Sequence, residues 1–210
     1  MQIVVLDSGT TFVVRNDAGE PPTRLYMADL PMPPPASFQV NVTALDLSNA
    51  TVSTQTWSIS IPSSNGFLVE TSANEVIELT RTHFEGAGPL ADLPGDWVLD
   101  LRTMGGALGP WPVTIGGNGQ FRYDGSGPCR VTGRFKEVAK SQEWVSLHLV
   151  FNPECAAIVG GNSFTGLLRR TPADAFGFPG MSKPETLVGA AATGNRRSAV
   201  TVRGLRRPAP

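Results

Sequence analysis

Apolar residues recur at every second position through much of this chain, and no segment holds helical spacing over three turns. The run Phe38-Gln-Val-Asn-Val-Thr-Ala-Leu45 alternates with period two. That spacing sets one face of an extended strand against a core and the other in water. Thr51–Ile61 reads the same way through Val52, Trp57, Ile59 and Ile61. Before them, Gln2–Leu6 and Thr11–Arg15 flank the turn Asp7-Ser8-Gly9-Thr10, a hairpin signal, and Thr23–Ala28 adds a short strand. Pro31–Pro35 breaks the pattern and predicts an exposed extended loop. Phe67–Thr71 and Val76–Thr80, with Ser72-Ala73-Asn74 as a turn, complete a first set. Residues 84–94 are small and rich in Gly and Pro, with a helical turn at Leu90–Leu93, and read as a linker. A second set follows: Asp96–Arg102, Val113–Gly116, Gln120–Asp124, Cys129–Lys136, Glu143–Phe151, Ser163–Arg170, Thr186–Ala192 and Ser198–Arg203. Thr193-Gly-Asn-Arg196 is the last hairpin turn.

The two sets share a motif. Val4–Arg15 (VVLDSGTTFVVR) and Val113–Asp124 (VTIGGNGQFRYD) each give an apolar strand, a Gly-bearing turn and a strand starting at Phe12 or Phe121. The second copy is preceded by the strand opening Gly95-Asp96-Trp97, whereas nothing precedes the first. The chain is therefore expected to be all-β, with two tandem small antiparallel up-and-down barrels, the first lacking its opening strand. Residues 1–83 form that incomplete domain, 95–204 an eight-stranded barrel and 205–210 a tail. Consecutive strands joined by short turns close into barrels because closure removes exposed edges.

Composition narrows the function classes. Gly (23) and Pro (18) are abundant, and charged residues make up only 17%, below the usual quarter, as expected of many turns and few solvated helices. A net charge of −1 gives no footing for nucleic acid or anionic membranes. Arg196, Arg197, Arg203, Arg206 and Arg207 cluster near the end without interleaved aromatics and read as a solvated strand end and tail. No apolar run reaches transmembrane length, and no secretion signal precedes the first strand. In that setting, the Asn41-Val-Thr and Asn49-Ala-Thr acceptor triplets read as chance matches.

Candidate chemistry is sparse. Cys129 opens one strand and Cys155 follows the end of the next, so in an antiparallel pair the two sulfurs meet at one rim. Either they form a disulfide, implying an oxidising compartment, or they are two partly buried thiols. Two Cys without nearby His make no zinc site, and no cofactor or metal is expected. His148 alternates with Trp144, Ser146 and Val150 and reads as barrel wall; His83 lies at the linker edge. The run Val5-Leu-Asp7-Ser8-Gly9 is similar to an aspartic-protease signature, but that chemistry needs two carboxylates sharing a proton, and no second Asp-Ser/Thr-Gly exists. Trp97 is placed to plug one barrel end, and Trp111, between Pro110 and Pro112, reads as a rim or contact aromatic.

From Leu93 to Arg170 the pieces LPGDW, VTIGGNGQFRYDGSGPCRVTGRF and WVSLHLVFNPECAAIVGGNSFTGLL resemble the second domain of two-domain β-barrel, lipocalin-like envelope lipoproteins of pseudomonads and related proteobacteria. The elements carrying the likeness are Gly-x-Trp, Cys129-x-x-x-Gly133, an apolar strand leading to Cys155, and Phe164-x-Gly166. The first half resembles their first domain through VVLDSGTTFVV. The resemblance implies a periplasmic or outer-membrane location and no settled activity. The absent signal, lipidated Cys and first strand share one expected cause, a start at an internal Met of a longer protein. The reading is a non-enzymatic binding or interaction module of unknown target, an unknown protein or a small apolar ligand; the open edge of the first domain is one place where a strand from another chain could pair. The alternatives are a carrier of a small apolar ligand and an inhibitor of a secreted hydrolase acting through a rim loop such as Met104–Pro112.

Overall fold

The structure is a computed structural model. It describes residues 2–5, 10–15, 24–63, 66–80, 89–103, 105–125, 127–138, 143–173 and 184–207. Asp7-Ser8-Gly9, His83, Met104 and residues 84–88 of the linker lie outside them. The described chain is all-β apart from one short helix and one 3-10 turn, and its strands form two antiparallel sheets.

The first sheet runs in simple sequence order: β1 (Gln2–Val5), β2 (Thr10–Arg15), β3 (Arg24–Asp29), β4 (Ser37–Asp46), β5 (Thr51–Ser63), β6 (Gly66–Glu70) and β7 (Val76–Thr80). Alternation sets its inner face. Val40 and Val42 of β4, Trp57 and Ile59 of β5 and Val69 of β6 gather into one cluster, with Tyr26, Phe38, Phe67 and Ile77 half-covered against it. Tyr26 reaches Trp57 two strands away, with ring centroids 5.2 Å apart. Val52 departs from expectation. It has the opposite parity to Trp57 and Ile59, and it is 44% exposed.

The second sheet comprises β8 (Gly95–Thr103), β9 (Gly106–Ala107), β10 (Trp111–Ile115), β11 (Gln120–Tyr123), β12 (Val131–Glu137), β13 (Trp144–Phe151), β14 (Ser163–Thr171), β15 (Thr186–Ala192) and β16 (Ala199–Arg206). From β11 to β16 each strand pairs with the next, and β16 then pairs with β8, placing Leu101 opposite Val202. The other edge of β8 carries β10, with Trp97 opposite Val113. The two end strands, β10 and β11, are joined by a tight turn in which the Gly119 N–H donates to the Gly116 carbonyl at 2.9 Å. Trp111 and Tyr123 stack across this last seam with centroids 4.7 Å apart. Eight strands thus curl into a barrel, with the two-residue β9 as a side bridge on β8.

The lumen is packed. Side chains from every barrel strand form one apolar cluster, none of them more than 9% exposed. Trp97, Phe135 and Phe164 are each fully buried. Close filling explains the glycines on inward positions. A Cβ at Gly133 would overlap the Phe121 ring, and one at Gly166 would overlap the backbone of Ala190 and Ala191. Two short elements stop the ends. The 3-10 turn Pro89–Asp92 leads into the buried Leu93 at the end where β8 begins. At the other end lies α1 (Pro153–Val159), which puts Cys155 and Val159 inward one turn apart. Pattern reading missed α1, because seven residues are too short for a period. Its punctuation is nonetheless in the sequence: Pro153 at the start, Glu154 in the first turn, and Gly160 in the left-handed conformation at its end.

The outer wall of the barrel is covered as well. Leu25 and Met27 of β3 and Leu45 of β4 pack on Trp144, Leu167, Ala190, Ala192 and Ala199. Arg196 lies 2.5 Å from Asp29 at the same junction. Strand β3 is therefore buried on both faces, with Tyr26 and Ala28 facing its own sheet and Leu25 and Met27 facing the barrel. Strand β15 is likewise buried on both faces, which accounts for its unbroken run Leu187–Ala192 where an outer strand would alternate. The small Ala side chains let the sheets approach closely.

Two predictions test this account. Gly133→Val should destabilise the protein by about 2–3 kcal/mol through overpacking, read as a lower urea midpoint, while Gly117→Ala, where a Cβ meets nothing within 4 Å, stays within about 0.5 kcal/mol of the parent. Equal midpoints would contradict a filled lumen. The second concerns the β4–β5 turn. Asp46 accepts hydrogen bonds from the Ser48 hydroxyl (2.6 Å) and from the Ser48 and Asn49 backbone N–H groups (3.0 and 3.1 Å). These bonds, the Ser48 hydroxyl foremost, lower its pKa from 3.8 to about 2. A lowered carboxylate pKa stabilises the fold above the unfolded value, and that contribution fades as pH falls through the folded one. Asp46→Asn should therefore narrow the loss of thermal stability between about pH 4 and pH 2. An unchanged acid limb in thermal melts would refute the assignment.

Candidate functional site

The end of the barrel where β8 starts is a locked structure. Trp97 is fully buried and its indole N–H donates to the Leu93 carbonyl at 2.9 Å. The Arg206 guanidinium lies over the ring, 5.0 Å from its centroid, a cation–π contact. Arg206 also donates to the Pro94 carbonyl at 3.1 Å and to that of Asp92. Its Nε stands 2.5 Å from Glu185 Oε2, out of hydrogen-bonding alignment, so this contact is an ion pair. Arg170 takes the other Glu185 oxygen through Nε and reaches Asp92 at 2.8 Å through Nη1. Glu185 is 7% exposed, and two guanidinium groups offset the cost of burying its charge. Arginine engages both carboxylates, so the cluster fastens the 3-10 turn to β14, β15 and β16. The expectation of a solvated strand end and tail is corrected here: β16 continues to Arg206, three residues beyond the expected end, because Arg206 is held by Trp97 and Glu185.

At the opposite end Cys129 and Cys155 form a disulfide with Cα atoms 4.6 Å apart. Asn152 braces it, its side-chain carbonyl accepting from the Arg130 N–H at 2.8 Å and its amide donating to the Pro128 carbonyl at 2.9 Å. Trp111 stands at this end too, but it is only 4% exposed, held between Tyr123 and Phe151. Its ring faces inward and offers no contact surface. His148 lies on the outer wall, exposed, with Nδ1 3.2 Å from the Thr165 hydroxyl. Among the described residues no group of three His, Cys, Asp or Glu side chains could hold a metal ion, and no helix is long and apolar enough to cross a membrane.

The remaining candidate is an edge. Strand β8 sits between β16 and β10 and is hydrogen-bonded to both. In the first sheet β7 and β1 hold the places of β16 and β10, and among the described residues no strand lies between them. Each leaves one row of backbone N–H and C=O groups without a ladder partner, the arrangement that accepts an added strand. The repeated hairpin signalled this edge in the sequence. Its surroundings, with Phe67 and Ile77 half-covered on the inner face, emerge only from the structure.

Removing the disulfide tests how far its barrel end depends on it. The bridge closes a loop spanning a sequence separation of 26, for which loop-closure entropy amounts to about 3.5 kcal/mol. The double replacement Cys129→Ser, Cys155→Ser should lower unfolding stability by roughly that amount, and the unreduced, denatured parent should show no reactive thiol. Two titratable thiols without reductant would remove the bond from the account.

No family model matches this chain, and neither a curated protein nor a solved structure is similar to it at a significant level. The likeness of Leu93–Arg170 to envelope lipoproteins therefore stands on its motifs alone.

Proposed function

We propose that this protein is a non-enzymatic interaction module that captures an extended segment of another protein at the open edge of its first sheet. The observation that carries the reading is the contrast between β16, bonded on both sides, and β7, bonded on one. Main-chain bonds supply affinity in such an addition, and pockets for alternate side chains supply selectivity. A packed lumen with no constituent above 9% exposure favours this reading over a carrier of an apolar ligand. The buried Trp111 takes the contact aromatic away from the inhibitor alternative. The Cys129–Cys155 bond supports an oxidising compartment, such as the periplasm or outer-membrane surface, as the place of work.

The seat can be tested by filling it. A copy of Gly95–Thr103 grafted ahead of Met1 through a short Gly/Ser linker should occupy the place between β7 and β1. The expected result is a rise in Tm of several degrees over a graft of equal length built from Gly and Ser alone, with slowed hydrogen exchange of β7 amides. Identical melting and exchange for the two grafts would defeat the reading.

A further inference from the structure

We infer that the segment captured at the β7 edge alternates apolar residues with Lys or Arg, and lies antiparallel to β7 with its basic side chains on the outer face of the sheet; this rests on the strand-acceptor reading above. The two faces of the edge differ in chemistry. Inward, Phe67 and Ile77 are half-covered beside the buried Val69. The equivalent positions of the closed barrel are covered because β8 lays Trp97, Leu99 and Leu101 over them. An incoming strand must bring apolar side chains to this face. Outward, Glu70 on β6 and Glu78 on β7 are exposed. Register places Glu70 opposite Val76 and Glu78 opposite Leu68, so carboxylates alternate with exposed apolar groups. Strands β5, β6 and β7 carry no Lys or Arg, and among the described residues neither carboxylate is ion-paired.

Across the filled seam of the barrel, Asp100 on β8 stands opposite Arg203 on β16, while its ion pair is with Arg102 on its own strand at 3.6 Å, so that insert carries both charges. At β7 the acceptor is acidic, so the complementary insert is basic. Opposite charges across a strand pair favour pairing, and like charges oppose it. With five residues in β7, a segment of five to seven residues spans the seat. A second copy of this chain is a poor occupant, since its own alternating basic strand, Thr132–Lys136, is paired on both sides in the barrel.

The test uses the full chain and three fluorescein-labelled seven-residue peptides in which Val and Ile alternate with Lys, Glu or Thr, read by fluorescence anisotropy. The Lys peptide should bind at least tenfold more tightly than the Glu peptide, with the Thr peptide between them. The preference should shrink as salt is raised. Glu70→Gln with Glu78→Gln, both at exposed sites, should bring the Lys peptide down to the affinity of the Thr peptide and leave the Thr peptide unchanged. The protein carrying the grafted strand should bind none of them. Equal affinities for the three peptides would overturn the basic preference while leaving the strand acceptor standing. No binding by any peptide, together with no stabilisation by the graft, would overturn both. Lys-peptide binding that survives in the grafted protein would place the contact away from the edge and refute the inference.

Discussion

The hydrogen bonding of β8 on both its edges is the constraint on which the barrel depends. Backbone donors and acceptors cannot be buried unpaired, and a sheet that ends in open edges keeps those groups in water. By pairing with β16 on one side and β10 on the other, β8 curls the meander round on itself, and the last seam, β10 beside β11, is held by the turn at Gly116–Gly119 and by Trp111 stacked on Tyr123. A wall curled this far has an inside. Trp97, Leu99 and Leu101 enter that inside because they alternate on β8, and the glycines at 133 and 166 follow from the crowding that results. The lock of Arg206, Glu185 and Arg170 then holds the 3-10 turn over the end at which β8 starts.

Among the described residues the first sheet repeats the meander with no strand between β7 and β1, and it differs for that reason. Its inner cluster keeps aromatic side chains half-covered where the barrel buries them. Its outer face does a job the barrel's own pattern demands. Strands β14 and β15 carry apolar residues on both sides, and Leu25, Met27 and Leu45 cover the outer side. The less complete sheet thus shields the more complete one, and its free edge remains the place where another chain has something to add.

Much of this was legible in the residues. Period-two alternation located the strands to within a few residues, because a strand with one wet face must alternate. The repeated hairpin pointed to two sheets of one pattern, and among the described residues β1 and β7 end the first of them. Facing strand ends brought Cys129 and Cys155 together by antiparallel geometry. Other features left weaker traces. Helix α1 is too short to show periodicity, although Pro153 and Gly160 mark its ends. Arg206 looked like tail because a guanidinium held by an indole and a carboxylate has the same letter as one held by water. Trp111 read as a rim or contact aromatic because flanking prolines speak for a loop, whereas its burial depends on Tyr123 and Phe151 meeting it.

The sequence by itself determined that the chain is all-β, where most strands begin and end, and that a hairpin pattern recurs in its two halves. Those follow from local rules: alternation, turn chemistry and the reach of an antiparallel pair. Only the tertiary structure decided that the lumen is filled, that the two sheets share the Leu167–Ala190 surface, and that acidic side chains line the outer face beside the free edge. Each of these depends on which distant residues meet. The meeting is set by closure and packing over the whole chain, and no local pattern carries that information.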